Sequence, residues 1–363
     1  MKGSFLRVVF KKFVHSQCKN IRNMKHVTLS QTGDLMPTVG LGTWQAPPDV
    51  TEQTILTALD VGYRHIDTAF NYNNEEAIGI ALKKWFDSCK GTRKDVFVTT
   101  KLPHVGNRAS DVVKFLDMQL KKLQLDYIDL YLIHMPFAFK CNPETMTPMV
   151  KENGELDMDM ENDNVMTWKV MEKCVKEGKI RNIGVSNFNE QQIQEIIDRA
   201  QIKPQVVQVE MHAFMQQESL RKFCAERDII VTAYSPLGTP GTKKHFVTKY
   251  NYKPESFPDL LSLPEVLELS SRHHKTPAQV LLRFLVQQQV VVIPKSTNET
   301  RLKENFDIYD FSLTPADINC LKKLDKGDKG RIMDFLMWKG ITKHPQYPFT
   351  ATETCSDNKG NVS

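Results

Sequence analysis

The sequence lacks any C-x-x-C pair, and its seven cysteines are odd in number and widely scattered. Such spacing predicts neither a disulfide framework nor a zinc site, so we expect reduced thiols in a cytoplasmic protein. The ten histidines form no H-x-x-x-H pair and no cluster with cysteine. The adjacent His273 and His274 would point in different directions on a helix. We therefore expect no metal site.

Long apolar runs and Gly/Ser/Pro-rich linkers are also missing. No run approaches the length that spans a bilayer, which argues against a membrane protein. The 40% hydrophobic and 25% charged residues are ordinary for one globular body. We expect a single domain over residues 26–350, followed by a disordered tail at residues 351–363. We also expect a monomer.

Acidic residues are absent from the first 25 positions, which hold seven Lys and Arg. The other residues carry 41 Lys and Arg against 43 Asp and Glu, so their charge does not favour nucleic-acid binding. The basic leader resembles a mitochondrial transit peptide. The alternative, which we favour, is a disordered extension before an internal start at Met24, leaving a cytoplasmic protein.

Short runs rich in β-branched residues alternate with amphipathic stretches of helical period, which is typical of repeated βα units. Eight such runs are predicted strands: Thr38–Leu41, His65–Ala69, Val96–Lys101, Ile128–His134, Ile180–Ser186, Val206–Met211, Ile229–Tyr234 and Val290–Ile293. Asp49 and either Asn189 or Glu190 are predicted helix caps. Eight units in roughly 250 residues fit an α/β fold of the (β/α)8 TIM barrel type better than an open doubly wound sheet.

Two segments are too long to be simple βα turns: Met135–Asp163 after the fourth strand and Leu237–Ser262 after the seventh. Both would lie on the face where the strands end, and there long loops usually shape a pocket. The segment after Gly327 contains several aromatic residues and prolines. We expect this C-terminal tail to fold over the same face.

Four polar residues stand at or just past predicted strand ends: Asp67, Tyr72, Lys101 and His134. An ammonium beside a tyrosine lowers the tyrosine pKa, and a carboxylate holds that ammonium in place, so Tyr72 could be a general acid. His134 could donate a hydrogen bond to a developing oxyanion. Each residue alone has a structural explanation: helix cap, packing aromatic, solvated strand end or rim histidine. Their joint position favours catalysis.

Several segments resemble those of the aldo-keto reductases: Gly62–Ala69 (GYRHIDTA), Leu132–His134 (LIH), Gly184–Phe188 (GVSNF), Tyr234–Gly238 (YSPLG) and Ile293–Thr297 (IPKST). The resemblance extends from about Val27 to Tyr347. It implies a (β/α)8 barrel that binds NADPH without a Rossmann fold and reduces aldehydes or ketones. Gly40-Leu41-Gly42 is therefore not a dinucleotide fingerprint, since its third glycine is missing.

The resemblance also implies roles for individual residues. Tyr72 would be the proton donor, tuned by Lys101 and Asp67, while His134 would orient the substrate carbonyl. The implied nicotinamide contacts are Ser186, Asn187, Gln208 and Tyr234, and Thr43 and Trp44 are further implied cofactor contacts. The implied contacts of the rest of the cofactor are Ser235 and Leu237 at the pyrophosphate, Lys295, Ser296 and Arg301 at the 2′-phosphate, and Glu304 and Asn305 at the adenine. Two cations and a hydroxyl suit a phosphate, which favours NADPH over NADH.

The substrate wall departs from the family pattern. Many relatives carry Trp after the catalytic histidine, whereas this chain has Met135, a more adaptable side chain. We expect substrate contacts from Trp44, His134 and Met135, and an apolar lining from Trp44, Phe70 and Phe137. Small carbonyl compounds with hydrophobic parts are the expected substrates.

Two other functions stay open. One is a Schiff-base aldolase that uses Lys101 as its nucleophile. The other is a cofactor-binding regulator without catalysis.

Overall fold

Ten strands organise the computed structural model, which describes residues 25–349. They are β1 (His26–Thr28), β2 (Leu35–Pro37), β3 (Leu41–Gly42), β4 (His65–Asp67), β5 (Phe97–Leu102), β6 (Ile128–Ile133), β7 (Ile180–Ser186), β8 (Val206–Glu210), β9 (Ile230–Tyr234) and β10 (Val291–Val292). Strands β3 to β10 pair in parallel, each with its neighbour in sequence. The expected leader, apart from Lys25, and the expected tail from residue 351 lie outside the described residues.

The eight parallel strands close into a barrel. A parallel bridge joins Val39 to Val292, and Gly40 N donates to Val292 O at 2.8 Å. A Cβ atom at Gly40 would stand only 2.6 Å from His65 Nδ1, so glycine lets the first strand approach its neighbour. This closure confirms the predicted (β/α)8 barrel. The first and last barrel strands are shorter than predicted.

Within residues 25–349, eleven helices surround or follow the strands. They are α1 (Pro48–Val61), α2 (Glu75–Asp87), α3 (Val112–Leu123), α4 (Asn164–Lys176), α5 (Glu190–Ile197), α6 (Glu218–Ala225), α7 (Lys243–Tyr250), α8 (Pro264–His273), α9 (Pro277–Val286), α10 (Glu299–Phe306) and α11 (Pro315–Lys322). Asn189 caps α5 as predicted, accepting from Gln192 N at 2.9 Å. The Asp49 cap is wrong: α1 already begins at Pro48, which suits a first helical position, and Asp49 lies in its first turn.

A hairpin of β1 and β2, which the sequence did not predict, covers the amino-terminal end of the barrel. Leu29, in its turn, and Met36, on β2, are fully buried. They pack in one apolar cluster with inward-facing strand residues, including Leu130, Leu132 and Val206. A larger cluster fills the layer between strands and helices. The chemistry is therefore left to the opposite, carboxyl-terminal end.

The two long loops have structure of their own. Residues 135–163 fold back as an antiparallel ribbon, with bridges between Phe139 and Met158 and between Val150 and Leu156. The loop after β9 contains α7 and two short 3-10 turns. Phe246 of α7 packs against Trp44, with ring centroids 5.9 Å apart, so this loop reaches across to the first barrel strand.

The C-terminal tail lies over the carboxyl-terminal face, as predicted. Glu210, the last residue of β8, accepts the backbone N–H groups of Ile332 and Met333, each at 2.8 Å. Trp338 packs on Phe137 and Phe139 of the ribbon, with centroid distances of 5.8 and 5.3 Å. A strand end and a loop therefore both hold the tail over the barrel.

Candidate active site

The four predicted catalytic residues all lie at the carboxyl-terminal edge of neighbouring strands. Asp67 ends β4, Lys101 is the next-to-last residue of β5, and His134 follows β6. Tyr72 closes a single 3-10 turn, Phe70–Tyr72, just after β4. Because the strands are parallel and in register, their ends meet at one place.

Lys101 is the centre of this group. Its Nζ donates to Asp67 Oδ1 at 2.6 Å, to Thr68 O at 2.8 Å and to the Tyr72 hydroxyl at 3.4 Å. Lys101 is fully buried and Asp67 nearly so. An ammonium has three donors, so all of its hydrogen bonds are accounted for. The buried charge is stabilised by its carboxylate partner.

The pKa values show which charges the site favours. Burial lowers the pKa of Lys101, although the neighbouring Asp67 carboxylate opposes this. Burial, and then the negative charge of Asp67, raise the pKa of Tyr72 well above its usual value. The sequence-based expectation that Tyr72 has a lowered pKa is therefore wrong. The ammonium is already paired with Asp67, and its 3.4 Å contact with the phenol is long. Tyr72 is protonated at neutral pH, as a proton donor must be.

His134 stands beside Tyr72 as a neutral ring. Burial, together with the charges of Lys101 and His104, lowers the pKa of His134 well below its usual value. Its ring meets the Tyr72 ring edge-on, with centroids 5.8 Å apart. Its Nδ1 atom is buried without a hydrogen-bond partner among residues 25–349. A neutral imidazole still has one N–H to donate, so His134 can bind an oxygen beside Tyr72.

Asn187 joins three strand ends into one network. Its Nδ2 donates to His134 O at 3.0 Å and to Ser186 Oγ at 3.1 Å. Its Oδ1 accepts from the Tyr234 hydroxyl at 2.7 Å. The structure therefore links Ser186 and Tyr234 to His134 through Asn187. Gln208 approaches from β8 and donates to Asp67 Oδ2 at 2.7 Å.

Thr43, Trp44 and the loop after β9 border the same edge. Thr43 Oγ1 donates to Asp67 O at 2.9 Å, and Trp44 is half-buried against α7. Ser235 has a φ of 53°, and its carbonyl accepts from Gly238 N at 2.9 Å. This tight turn leaves Leu237 half-buried. Thr43, Trp44, Ser235 and Leu237 are the residues of this edge for which the resemblance implies cofactor contacts.

Beyond β10, a second polar cluster surrounds the start of α10. The Asn298 side chain caps the helix by accepting from Arg301 N at 3.0 Å, and Ser296 Oγ accepts from Asn298 N at 3.1 Å. Lys295 and Arg301 are exposed, and neither forms an ion pair within the described part of the chain. Burial and the Arg301 charge lower the pKa of Lys295. Two neighbouring cations that form no ion pair in this part of the chain fit an anionic group.

The remaining members of this cluster differ in accessibility. Glu304 is half-buried on α10, whereas Asn305 is buried. Both are on the helix that begins beside Lys295 and Ser296.

The residues expected to line the substrate pocket are only partly found there. Met135 is buried, and its Sδ lies 3.3 Å from Asn187 Nδ2. Phe70 does not line the pocket: it packs edge-on against Phe115 of α3, with centroids 5.0 Å apart. An apolar residue just after a strand can face either the pocket or the helices, and Phe70 faces the helices. Phe137 is fully buried beneath the tail.

Sequence reasoning missed three neighbours of the site: Thr68, whose carbonyl binds Lys101, and the aromatic pair His104 and Trp338. His104 stands two residues after β5, so a search beyond the last strand residue would have found it. Within residues 25–349, no three His, Cys, Asp or Glu side chains converge on a metal site. In the same range, no helix is long and apolar enough to cross a membrane, and the five cysteines are free.

Comparisons with known proteins place this geometry in a family. The model of the Aldo/keto reductase family matches residues 38–326. Aldo-keto reductase family 1 member A1 of Xenopus tropicalis is 41% identical over 88% of this chain and 95% of its own. Human aldo-keto reductase family 1 member C4 has the same identity and the same two coverages.

A solved structure, that of the aldose reductase from Schistosoma japonicum, is also similar. It is 38% identical, with a TM-score of 0.79 over 90% of this chain and 98% of its own. The family match spans most of the barrel, and the curated relatives extend over nearly the whole described chain. Aldo-keto reductases are oxidoreductases that act on small carbonyl compounds and generally use NADP(H). This protein belongs to the aldo-keto reductase family.

Proposed function

We propose that this protein uses NADPH to reduce aldehydes or ketones to alcohols, with Tyr72 as the general acid. One observation carries the proposal: a protonated Tyr72 lies against the buried Lys101–Asp67 pair and beside the neutral His134. NADPH, when bound, supplies the hydride that adds to the carbonyl carbon.

The side chains would handle the proton and the charge on the oxygen. Tyr72 would give its hydroxyl proton to the carbonyl oxygen as negative charge develops there. The phenolate left on Tyr72 would then face the Lys101 ammonium, which is fixed by Asp67. His134 would hold the same oxygen through its N–H. A high pKa keeps the Tyr72 hydroxyl protonated, so that its proton is available for the carbonyl oxygen.

Residues on the later strands fit the cofactor. The Asn187–Tyr234 hydrogen bond fixes an aromatic ring beside polar groups, which suits a nicotinamide between Tyr234 and the carboxamide partners Ser186 and Asn187. The turn at Ser235 and Leu237 would receive the pyrophosphate through backbone N–H groups. Gln208 would complete the carboxamide site from β8, and Thr43 and Trp44 would border the ring.

The start of α10 fits the adenosine end. Lys295, Ser296 and Arg301 would bind a 2′-phosphate, the two cations through charge-assisted hydrogen bonds. Their neighbours on α10, Glu304 and Asn305, would face the adenine. A ribose hydroxyl offers these cations no charge, so NADPH is favoured over NADH.

An aldolase mechanism at Lys101 finds less support. Lys101 donates to Asp67, Thr68 and Tyr72, so no lone pair is free to attack a carbonyl. Borohydride in the presence of a keto substrate would trap Lys101 covalently if it formed a Schiff base. We expect no such adduct by mass spectrometry.

The proposal is tested by following nucleotide oxidation with aldehydes, sugars and ketosteroids. We expect turnover with NADPH of at least one class that has a hydrophobic part, given the wall formed by Trp44 and Met135. NADH in parallel should be used poorly. If NADPH binds but no carbonyl compound is reduced, the protein is a nucleotide-binding regulator and the proposal fails.

A further inference from the structure

His104 is a second buried histidine next to the proposed catalytic residues. It lies two residues beyond β5 and is only 8% exposed. Its ring packs edge-on against Phe139 of the ribbon, with centroids 5.0 Å apart, and in a tilted arrangement against Trp338 of the tail, with centroids 5.3 Å apart. His104 therefore stands where the ribbon and the tail meet over the barrel.

A hydrogen bond sets the proton position on this ring. Asn71 Nδ2 lies 2.8 Å from His104 Nδ1. An amide nitrogen can only donate, so Nδ1 must accept, and the proton of the neutral ring must be on Nε2. Burial lowers the pKa of His104 to about 4, so the ring is neutral at physiological pH.

No hydrogen-bond partner of Nε2 is found among residues 25–349, and the ring packs against Phe139 and Trp338. An N–H group without a protein acceptor is available to a ligand oxygen, and a site that donates a hydrogen bond to its substrate discriminates against an analogue that lacks the oxygen. The two aromatic residues that pack against His104, Phe139 and Trp338, have apolar rings, and their one polar group is the indole N–H of Trp338. His104 thus provides a hydrogen-bond donor beside two aromatic side chains.

The position of His104 links it to the reacting carbonyl. Asn71 immediately precedes Tyr72 in the same 3-10 turn, so the Asn71–His104 pair is attached to the proposed acid. A positive charge on His104 would also lower the pKa of His134, which places the two rings near each other. His104 is therefore tied through Asn71 to the turn that carries Tyr72, and it lies close to His134.

We propose that His104 determines specificity by donating its Nε2–H to a second oxygen of the substrate. The site would then prefer aldehydes and ketones that carry a further hydroxyl, carbonyl or carboxylate oxygen over analogues without one. This inference rests on the proposed carbonyl reduction. It adds a polar requirement to the hydrophobic wall expected from the sequence.

The test compares kcat/KM within matched pairs: benzaldehyde with the hydroxy- and carboxybenzaldehydes, and butanal with succinic semialdehyde. In the wild type, at least one oxygen-bearing partner should be preferred. His104→Phe keeps a ring between Phe139 and Trp338 but removes the donor. This variant should lower the preference about tenfold, mainly through a higher KM, because the lost hydrogen bond contributes to binding.

Two further variants complete the experiment. Asn71→Leu leaves His104 in place but removes the group that fixes its proton on Nε2, so the preference should fall severalfold. If His104→Phe does not fold, the substrate preference of Asn71→Leu tests the role of His104. His26→Phe makes the same exchange on the exposed β1, at the opposite end of the barrel, and should keep the wild-type preference.

The results separate this inference from the proposed function. Turnover of the aldehydes with a preference that neither His104→Phe nor Asn71→Leu changes would overturn the role of His104 and leave carbonyl reduction intact. A wild type without preference for a second oxygen would overturn it as well. Turnover of no aldehyde would overturn both.

Discussion

Gln208 Nε2 donates to Asp67 Oδ2 at 2.7 Å across the interior of the barrel. Asp67 ends β4 and Gln208 lies on β8, and these strands are the second and sixth of the eight. The other oxygen, Oδ1, binds Lys101. Both carboxylate oxygens are therefore satisfied from different sides, and the ion pair next to Tyr72 is held by three strands.

Replacing Gln208 with Leu should destabilise the protein, because Asp67 Oδ2 would lose its donor while remaining buried. We expect the free energy of unfolding to fall by about 1–3 kcal/mol, measured with urea. Gln191→Leu on the exposed face of α5 is the matched control and should change it by less than about 0.5 kcal/mol. Equal effects of the two substitutions would show that the cross-barrel hydrogen bond contributes nothing.

Lys295→Met should weaken NADPH binding by roughly ten- to a hundredfold, since a charge-assisted hydrogen bond contributes about 1.5–3 kcal/mol. The dissociation constant can be followed through protein fluorescence. NADH lacks the 2′-phosphate, so its affinity should hardly change. Arg301→Met should behave in the same way.

Lys303→Met provides the control for these charge changes. Lys303 is on the same helix but is paired with Glu299 at 2.7 Å, in an exposed position. We expect it to leave both affinities near the wild-type values. A loss shared equally by NADPH and NADH in Lys295→Met would contradict the 2′-phosphate assignment.

Stability should fall in mild acid through His65, which is fully buried against Pro37 O and Thr99 Oγ1. Burial lowers its pKa from 6.5 to about 4 in the folded protein. Between these values the unfolded chain binds more protons, so stability is present above the unfolded pKa and is lost as the pH falls. His65 alone should account for roughly 2 kcal/mol between about pH 7 and about pH 5.

The check is a comparison of urea unfolding against pH for the wild type and His65→Gln. Glutamine keeps polar atoms near Thr99 but does not titrate. The free energy of unfolding of the variant should depend less steeply on pH below about 6.5. Parallel pH profiles would show that His65 is not the responsible group.

The strands were predictable because β-branched runs recur at the spacing of βα units, and the positions of Asp67, Lys101 and His134 followed from the strand ends. The β1–β2 hairpin could not be predicted, because two strands of three residues each are too short to show an alternation of apolar and polar residues. The orientation of Phe70 depends on packing against Phe115, which is distant in sequence. The raised pKa of Tyr72 depends on burial and on Asp67. Such effects arise only when several elements meet.

The central claim is that Tyr72 delivers the proton during carbonyl reduction. Its most direct test is the rate of NADPH oxidation in a single turnover, measured for wild type and Tyr72→Phe with a good aldehyde substrate and the nucleotide already bound. We expect the rate to fall by roughly 10²–10⁴ while the NADPH dissociation constant stays near its wild-type value. Equal rates for the two proteins would contradict the assignment of Tyr72 as the general acid.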